Sequence, residues 1–127
     1  DAVYLDMKDA ADSELGLTWA NGVTSVERAY AWEPGTVLDG VAESDILGVE
    51  AALWTETVRS PDDIDTLMFP RIAAAAEAAW SPASDLNPLR TWGSFRERVG
   101  ALDGLWSALG IRFRRSPEIP WRDEETS

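Results

Sequence analysis

Two pairs of side chains in this sequence have the types and spacing to hold a polyhydroxylated ligand. Tyr4 and Asp6 stand two residues apart near the start of the chain, and Trp54 and Glu56 repeat the arrangement of one aromatic and one acid further along. In an extended chain residues i and i+2 face the same way, so each pair presents a ring and a carboxylate to one side. Carboxylates accept hydrogen bonds from hydroxyls, and an aromatic face covers the apolar C–H face of a pyranose. A sugar subsite requires that combination. The residues by themselves leave other roles open: Trp54 as a core tryptophan, Asp6 and Glu56 as structural ion-pair partners of arginines. Glu50, deeper in its segment, is expected in an internal hydrogen-bond network. Trp80, Trp92 and Trp106 fall on helix faces and are expected to pack.

Composition narrows the chemistry further. The 127 residues include no cysteine and no histidine, which removes thiolate nucleophiles, disulfides, the usual general base and the usual zinc ligands. Carboxylates, hydroxyls and aromatic rings are left to carry any reaction, and neither metal nor cofactor is expected. The net charge is −12. Residues 1–66 hold 15 acids against 3 bases, and residues 67–127 hold 8 of each. Nucleic acid is an unfavourable partner for such a surface, because affinity for phosphates comes from lysine and arginine. No apolar run approaches the roughly 20 residues that span a bilayer, so no membrane partner is expected.

The elements that must position these side chains follow from periodicity. Val3 to Met7 alternates apolar and polar residues and reads as a strand that starts almost at the first residue, as expected of a piece of something longer. Lys8 to Gly22 is a polar loop of functional length. Thr24 and Glu27 have capping-box spacing for a short helix reaching about Trp32, before Pro34-Gly35. Ile46 to Glu56 is the second strand, with Glu50, Trp54 and Glu56 on one face. Ser60-Pro61-Asp62-Asp63 starts a helix that Pro70 should kink or divide and that ends near Trp80. A last amphipathic helix runs from about Thr91 to Leu109, closed by Gly110. Residues 112–127 read as a tail, frayed over 122–127.

Strand, helix, strand, helix is the order of parallel βαβ construction, and the fold class is α/β. The polar face formed by Tyr4, Asp6, Glu50, Trp54 and Glu56 is unsuited to an ordinary core and suits the mouth of a closed barrel, where sites assemble at the C-terminal strand ends. The two strands near 3–7 and 46–54 are therefore expected to be parallel, flanked by helices near 61–80 and 91–109.

The runs Tyr4-Leu5-Asp6-Met7-Lys8, Leu15-Gly16-Leu17-Thr18-Trp19, Gly48-Val49-Glu50-Ala51, Leu53-Trp54-Thr55-Glu56-Thr57, Phe69-Pro70-Arg71, Glu77-Ala78-Ala79-Trp80-Ser81-Pro82 and Ser116-Pro117-Glu118-Ile119-Pro120-Trp121 closely resemble, in order, the C-terminal third of family 20 glycoside hydrolases, the β-N-acetylhexosaminidases. The match covers nearly the whole chain. It implies the C-terminal portion of a (β/α)8 TIM barrel: the last two βα units over residues 1–82, a C-terminal helix and closing segment over 83–121, and a tail over 122–127.

The resemblance also implies a chemistry. Such enzymes remove terminal N-acetylglucosamine or N-acetylgalactosamine with retention, using the substrate's own acetamido oxygen as nucleophile, outside the usual two-carboxylate scheme. Tyr4 resembles the tyrosine that binds that oxygen. Asp6 and Glu56 resemble the acids that grip sugar hydroxyls, and Trp54 resembles a wall of the acetamido pocket. The adjacent Asp-Glu catalytic pair belongs to an earlier strand and is absent here; Asp62-Asp63 and Glu124-Glu125 sit in a helix cap and a tail. The isolated piece is therefore expected to be inactive. Its expected partners are an N-acetylhexosamine-containing oligosaccharide or glycoconjugate and the remainder of the barrel, or a second copy covering the same face. Asp9 stands where such enzymes often have tyrosine, so the loop after Asp6 is expected to differ locally. The rival reading is a non-catalytic carbohydrate-binding or interaction module, for which seven tryptophans offer material.

Overall fold

The computed structural model describes residues 2–122. The expected tail over 122–127 lies, apart from Arg122, outside them. Among the described residues five α-helices are present: α1 (Val26–Tyr30), α2 (Pro61–Met68), α3 (Arg71–Trp80), α4 (Trp92–Gly100) and α5 (Asp103–Ala108). Short 3-10 turns at Pro34–Thr36 and Glu43–Asp45 interrupt the stretch between α1 and the second extended segment.

The two site-bearing segments are parallel, as the polar-face argument requires. Tyr4 and Ala52 form a parallel bridge in which Leu5 N donates to Ala52 O at 2.7 Å and Ala52 N donates to Val3 O at 3.1 Å. A second parallel bridge joins Met7 to Leu17, through Leu17 N to Asp6 O and Lys8 N to Leu17 O, both 2.8 Å. Residues 3–8 are thus held on both edges, by Ala52 on one and Leu17 on the other. Pairing stops there: among the described residues these bridges do not extend into a continuous ladder, and Glu50, Trp54 and Glu56 are exposed. A parallel sheet is stable when both its faces are covered, and the segment around Ala52 is covered on one side at most. The expectation that Glu50 enters an internal network is accordingly overturned.

Local signals set most helix ends. Ser60 and Asp63 form a reciprocal capping box, with Asp63 N to Ser60 Oγ at 3.3 Å and Ser60 N to Asp63 Oδ2 at 3.0 Å, and Pro61 occupies the first helical position. The chain divides at Phe69-Pro70, a cis peptide, so the expected helix over 61–80 is two helices. Thr91 caps α4 through Ser94 N at 3.2 Å. The amphipathic helix expected to run to Leu109 instead stops at Gly100 and restarts at Asp103. At Gly100 the carbonyl of Pro120 occupies the space that a Cβ would need, so the closing segment crosses the helix where only glycine fits.

Another correction concerns α1. Its N-cap is Ser25, whose hydroxyl accepts from Arg28 N at 3.1 Å, and not Thr24, which is fully buried. The remaining free N–H groups are met from far along the chain: Glu118 accepts from Val26 N at 2.9 Å and Glu27 N at 3.1 Å. A carboxylate there also complements the positive end of the helix dipole.

The core joins α1, α3, α4, α5 and the closing segment through Val26, Ala29, Ala74, Phe95, Val99, Trp106, Ile119 and Trp121. Trp106 stands edge-on to Phe69 and Phe113, and Phe113 leans against Trp121 with ring centroids 5.0 Å apart. The stretch read from the sequence as a tail is therefore structural up to Trp121. Trp92 and Trp106 pack as expected, but Trp80, at the last position of α3, is 90% exposed.

Candidate active site

The first extended segment carries the candidate site because its two faces differ. Leu5 and Met7 point into the protein and are 1% and 0% exposed, while Tyr4 stays half-buried on the other face. Asp6 shares the Tyr4 side yet is only 1% exposed. A carboxylate buried this deeply requires hydrogen-bond partners. Oδ2 accepts from the indole N–H of Trp19 at 3.2 Å, whereas Oδ1 is buried with no partner among the described residues. Asp6 is thus held by one oxygen, and the acceptor capacity of the other is unused among the described residues. No arginine forms an ion pair with it among the described residues, so the structural-pair alternative fails for Asp6.

Trp19 was not among the residues singled out by spacing. Its ring lies against Tyr4, with centroids 4.9 Å apart and planes tilted by 58°, and it remains 56% exposed. Tyr4, Asp6 and Trp19 therefore form one constellation, with a second aromatic face open to solvent beside the tyrosine. A tryptophan in an otherwise polar loop, at the end of the Leu15–Trp19 run, was the available signal.

The loop that delivers Trp19 is tied down at several points. Gly16 adopts φ +94°, and a Cβ there would lie 2.7 Å from Lys8 N, so only glycine lets the loop lie against the strand end. Ala20 N donates to Met7 Sδ at 3.3 Å, and Thr24 N donates to Lys8 O at 2.7 Å. Asp9 accepts from Ser13 Oγ and forms an ion pair with Arg114 of the closing segment. Where the resemblance led to a tyrosine, this chain has an acid with a basic partner.

Trp54 and Glu56 lie on the neighbouring segment, just beyond the bridged Ala52. Both are exposed, Trp54 at 56%. Neither touches Tyr4 or Asp6 through a hydrogen bond or ring contact among the described residues. The two segments are linked beside the site by Gly16 N, which donates to Thr57 Oγ1 at 3.0 Å. Tyr4 itself lines a cleft of about 230 Å³ with Val3, Glu50 and Ala52. An apolar groove of about 300 Å³, bordered by Trp32, Val37, Leu38 and Ile46, shares Val3 and Glu50 with that cleft and includes none of the four candidate residues.

Behind the site, Arg71 is 2% exposed. Burial lowers its pKa from the ordinary guanidinium value to about 10, while the carboxylates of Asp9 and Asp6 act in the opposite direction.

Comparison with known proteins places the chain among glycoside hydrolases. Residues 1–83 match the profile of "Glycosyl hydrolase family 20, catalytic domain". A β-N-acetylhexosaminidase of Cellulomonas fimi is 42% identical over 118 residues, which is 93% of this chain and 23% of that protein. Among solved structures, a glycoside hydrolase family 20 β-N-acetylglucosaminidase is 66% identical with a TM-score of 0.90, covering 94% of this chain and 25% of that one. A Streptomyces plicatus β-hexosaminidase in complex with product (GlcNAc) is 45% identical with a TM-score of 0.83, covering 94% and 23%. The chain spans about a quarter of the length of the relatives it matches.

Proposed function

Because this chain belongs to glycosyl hydrolase family 20, we propose that it supplies the last two βα units, and with them part of the sugar-binding wall, of a retaining exo-β-N-acetylhexosaminidase. Residues 83–121 serve as a C-terminal helical and closing segment of the same domain. The observation that carries this reading is Asp6, whose carboxylate is buried, held by Trp19 through one oxygen and without a partner on the other among the described residues, with the Trp19 ring packed against that of Tyr4.

In this reading Tyr4 donates a hydrogen bond to the substrate's acetamido oxygen as that oxygen attacks the anomeric carbon and develops charge. Asp6 and Glu56 accept from sugar hydroxyls and Trp54 walls the acetamido pocket, so remote contacts set the geometry of attack. The acid that protonates the leaving oxygen belongs to another part of the barrel, and residues 1–127 alone are inactive. The ligand is a terminal N-acetylglucosamine or N-acetylgalactosamine on an oligosaccharide or glycoconjugate.

Kinetics on an aryl N-acetylglucosaminide, with the enzyme that contains these residues, tests the reading. Tyr4→Phe is expected to lower kcat by about 10²- to 10³-fold with a much smaller change in KM, the scale of losing one oxyanion-type donor. Turnover of Tyr4→Phe at the parental rate, or hydrolysis by residues 1–127 alone, overturns these roles.

A further inference from the structure

Arg71 opens α3 and sends its side chain under the segment that carries Tyr4 and Asp6. Nη1 donates to Met7 O at 2.8 Å and Thr24 O at 3.1 Å; Nη2 donates to Leu5 O and Leu67 O, both at 2.6 Å. Four carbonyls from three parts of the chain thus converge on one buried guanidinium. Two of them, Leu5 and Met7, flank Asp6 in sequence. On the opposite edge Asp6 O accepts from Leu17 N, so the backbone around Asp6 is gripped from both sides. Fixing the carbonyls of the odd residues fixes the direction in which the even residues, Tyr4 and Asp6, leave the backbone.

We propose that Arg71 is a positioning residue for catalysis, setting the angle at which Tyr4 and Asp6 meet the sugar through its hydrogen bonds to Leu5 O and Met7 O. The assignment rests on the functional reading above. A buried cation bonded to four neutral carbonyls is a costly way merely to fill space, since an apolar side chain would avoid the desolvation. Its donors form a rigid fork that lysine, with one nitrogen, cannot reproduce across four acceptors. The electrostatic cost is offset in part by Asp6 and Asp9, so the site acid and the cation behind it are also linked through their charges.

The test is a double-mutant cycle in the enzyme that contains these residues, using Arg71→Lys and Asp6→Asn with an aryl N-acetylhexosaminide. Urea unfolding of each variant corrects for the folded fraction. Arg71→Lys is expected to lower kcat/KM by about 10- to 10²-fold in the parental background, the scale of a misplacement of about 1 Å. In the Asp6→Asn background the same substitution should cost clearly less than in the parent, because only Tyr4 is then left to misplace. Full activity of Arg71→Lys, a loss that merely tracks unfolding, or a loss that adds in full to that of Asp6→Asn overturns the assignment and leaves the functional reading standing. Absence of hydrolysis by the unsubstituted enzyme overturns both.

Discussion

The indole nitrogen of Trp19 donates to Asp6 Oδ2 at 3.2 Å, from 13 positions along the chain, while the same indole packs on Tyr4. One exposed side chain therefore orients both members of the first aromatic-acid pair. Trp19→Phe retains a ring against Tyr4 and deletes the donor, leaving a buried carboxylate oxygen unsatisfied and free to turn away from the ligand. Loss of such a bond to a charged group costs about 1–3 kcal/mol, so KM for an aryl N-acetylhexosaminide should rise by about tenfold. Thermal stability should fall as well, because the carboxylate that loses its donor is buried. An unaltered KM would show that Asp6 is aimed by other means.

Gly16 sets how closely that loop approaches the strand end. Gly16→Ala adds a Cβ against Lys8 N and strains a backbone at φ +94°, for an expected loss of about 1–3 kcal/mol in urea unfolding. The same change should weaken the Gly16 N to Thr57 Oγ1 bond and reduce activity beyond the loss of stability. A variant with parental stability and activity would exclude the tight approach in solution.

Glu118 supplies both oxygens to the start of α1. Glu118→Ala should destabilise the protein by about 1–2 kcal/mol, as loss of a helix cap does, with Glu118→Gln retaining part of the effect. Differential scanning calorimetry of the two variants decides this. Equal melting temperatures for parent and Glu118→Ala would mean that water satisfies Val26 N and Glu27 N equally well.

What the sequence disclosed, and what it withheld, follows the range of the interactions. The Ser60 box, the Thr91 cap and the division at Pro70 are local and could be read from a few consecutive residues. The parallel arrangement of Tyr4 and Ala52 followed from alternation and from the polar face shared by Tyr4 and Asp6. The cap of α1 was placed one residue early because Thr24 and Ser25 are both hydroxyls, and the acid that completes the cap is Glu118, which no local window contains. Arg71 in the Phe69-Pro70-Arg71 run was visible as a residue, but its acceptors are backbone carbonyls, which leave no trace in side-chain identity. The break at Gly100 likewise depends on the path of Pro120, set by tertiary packing. Trp80 was misjudged because helical position shows which way a side chain points and not whether anything lies there.

The closing segment also constrains when the domain can become itself during synthesis. Arg112 N donates to Asp65 Oδ2, Thr66 Oγ1 to Arg112 O and Arg114 N to Phe69 O, lashing the segment to the end of α2 before it continues to Glu118, Ile119 and Trp121. All of these residues leave the ribosome after α1 through α5. Until then α1 has two uncapped N–H groups, and the core around Trp106 and Val26 lacks Ile119 and Trp121. Growing chains therefore expose an unfinished apolar surface for as long as translation takes to cross residues 81 to 121, several seconds at about 5–20 residues per second. Contacts of such long sequence separation also form slowly by their nature.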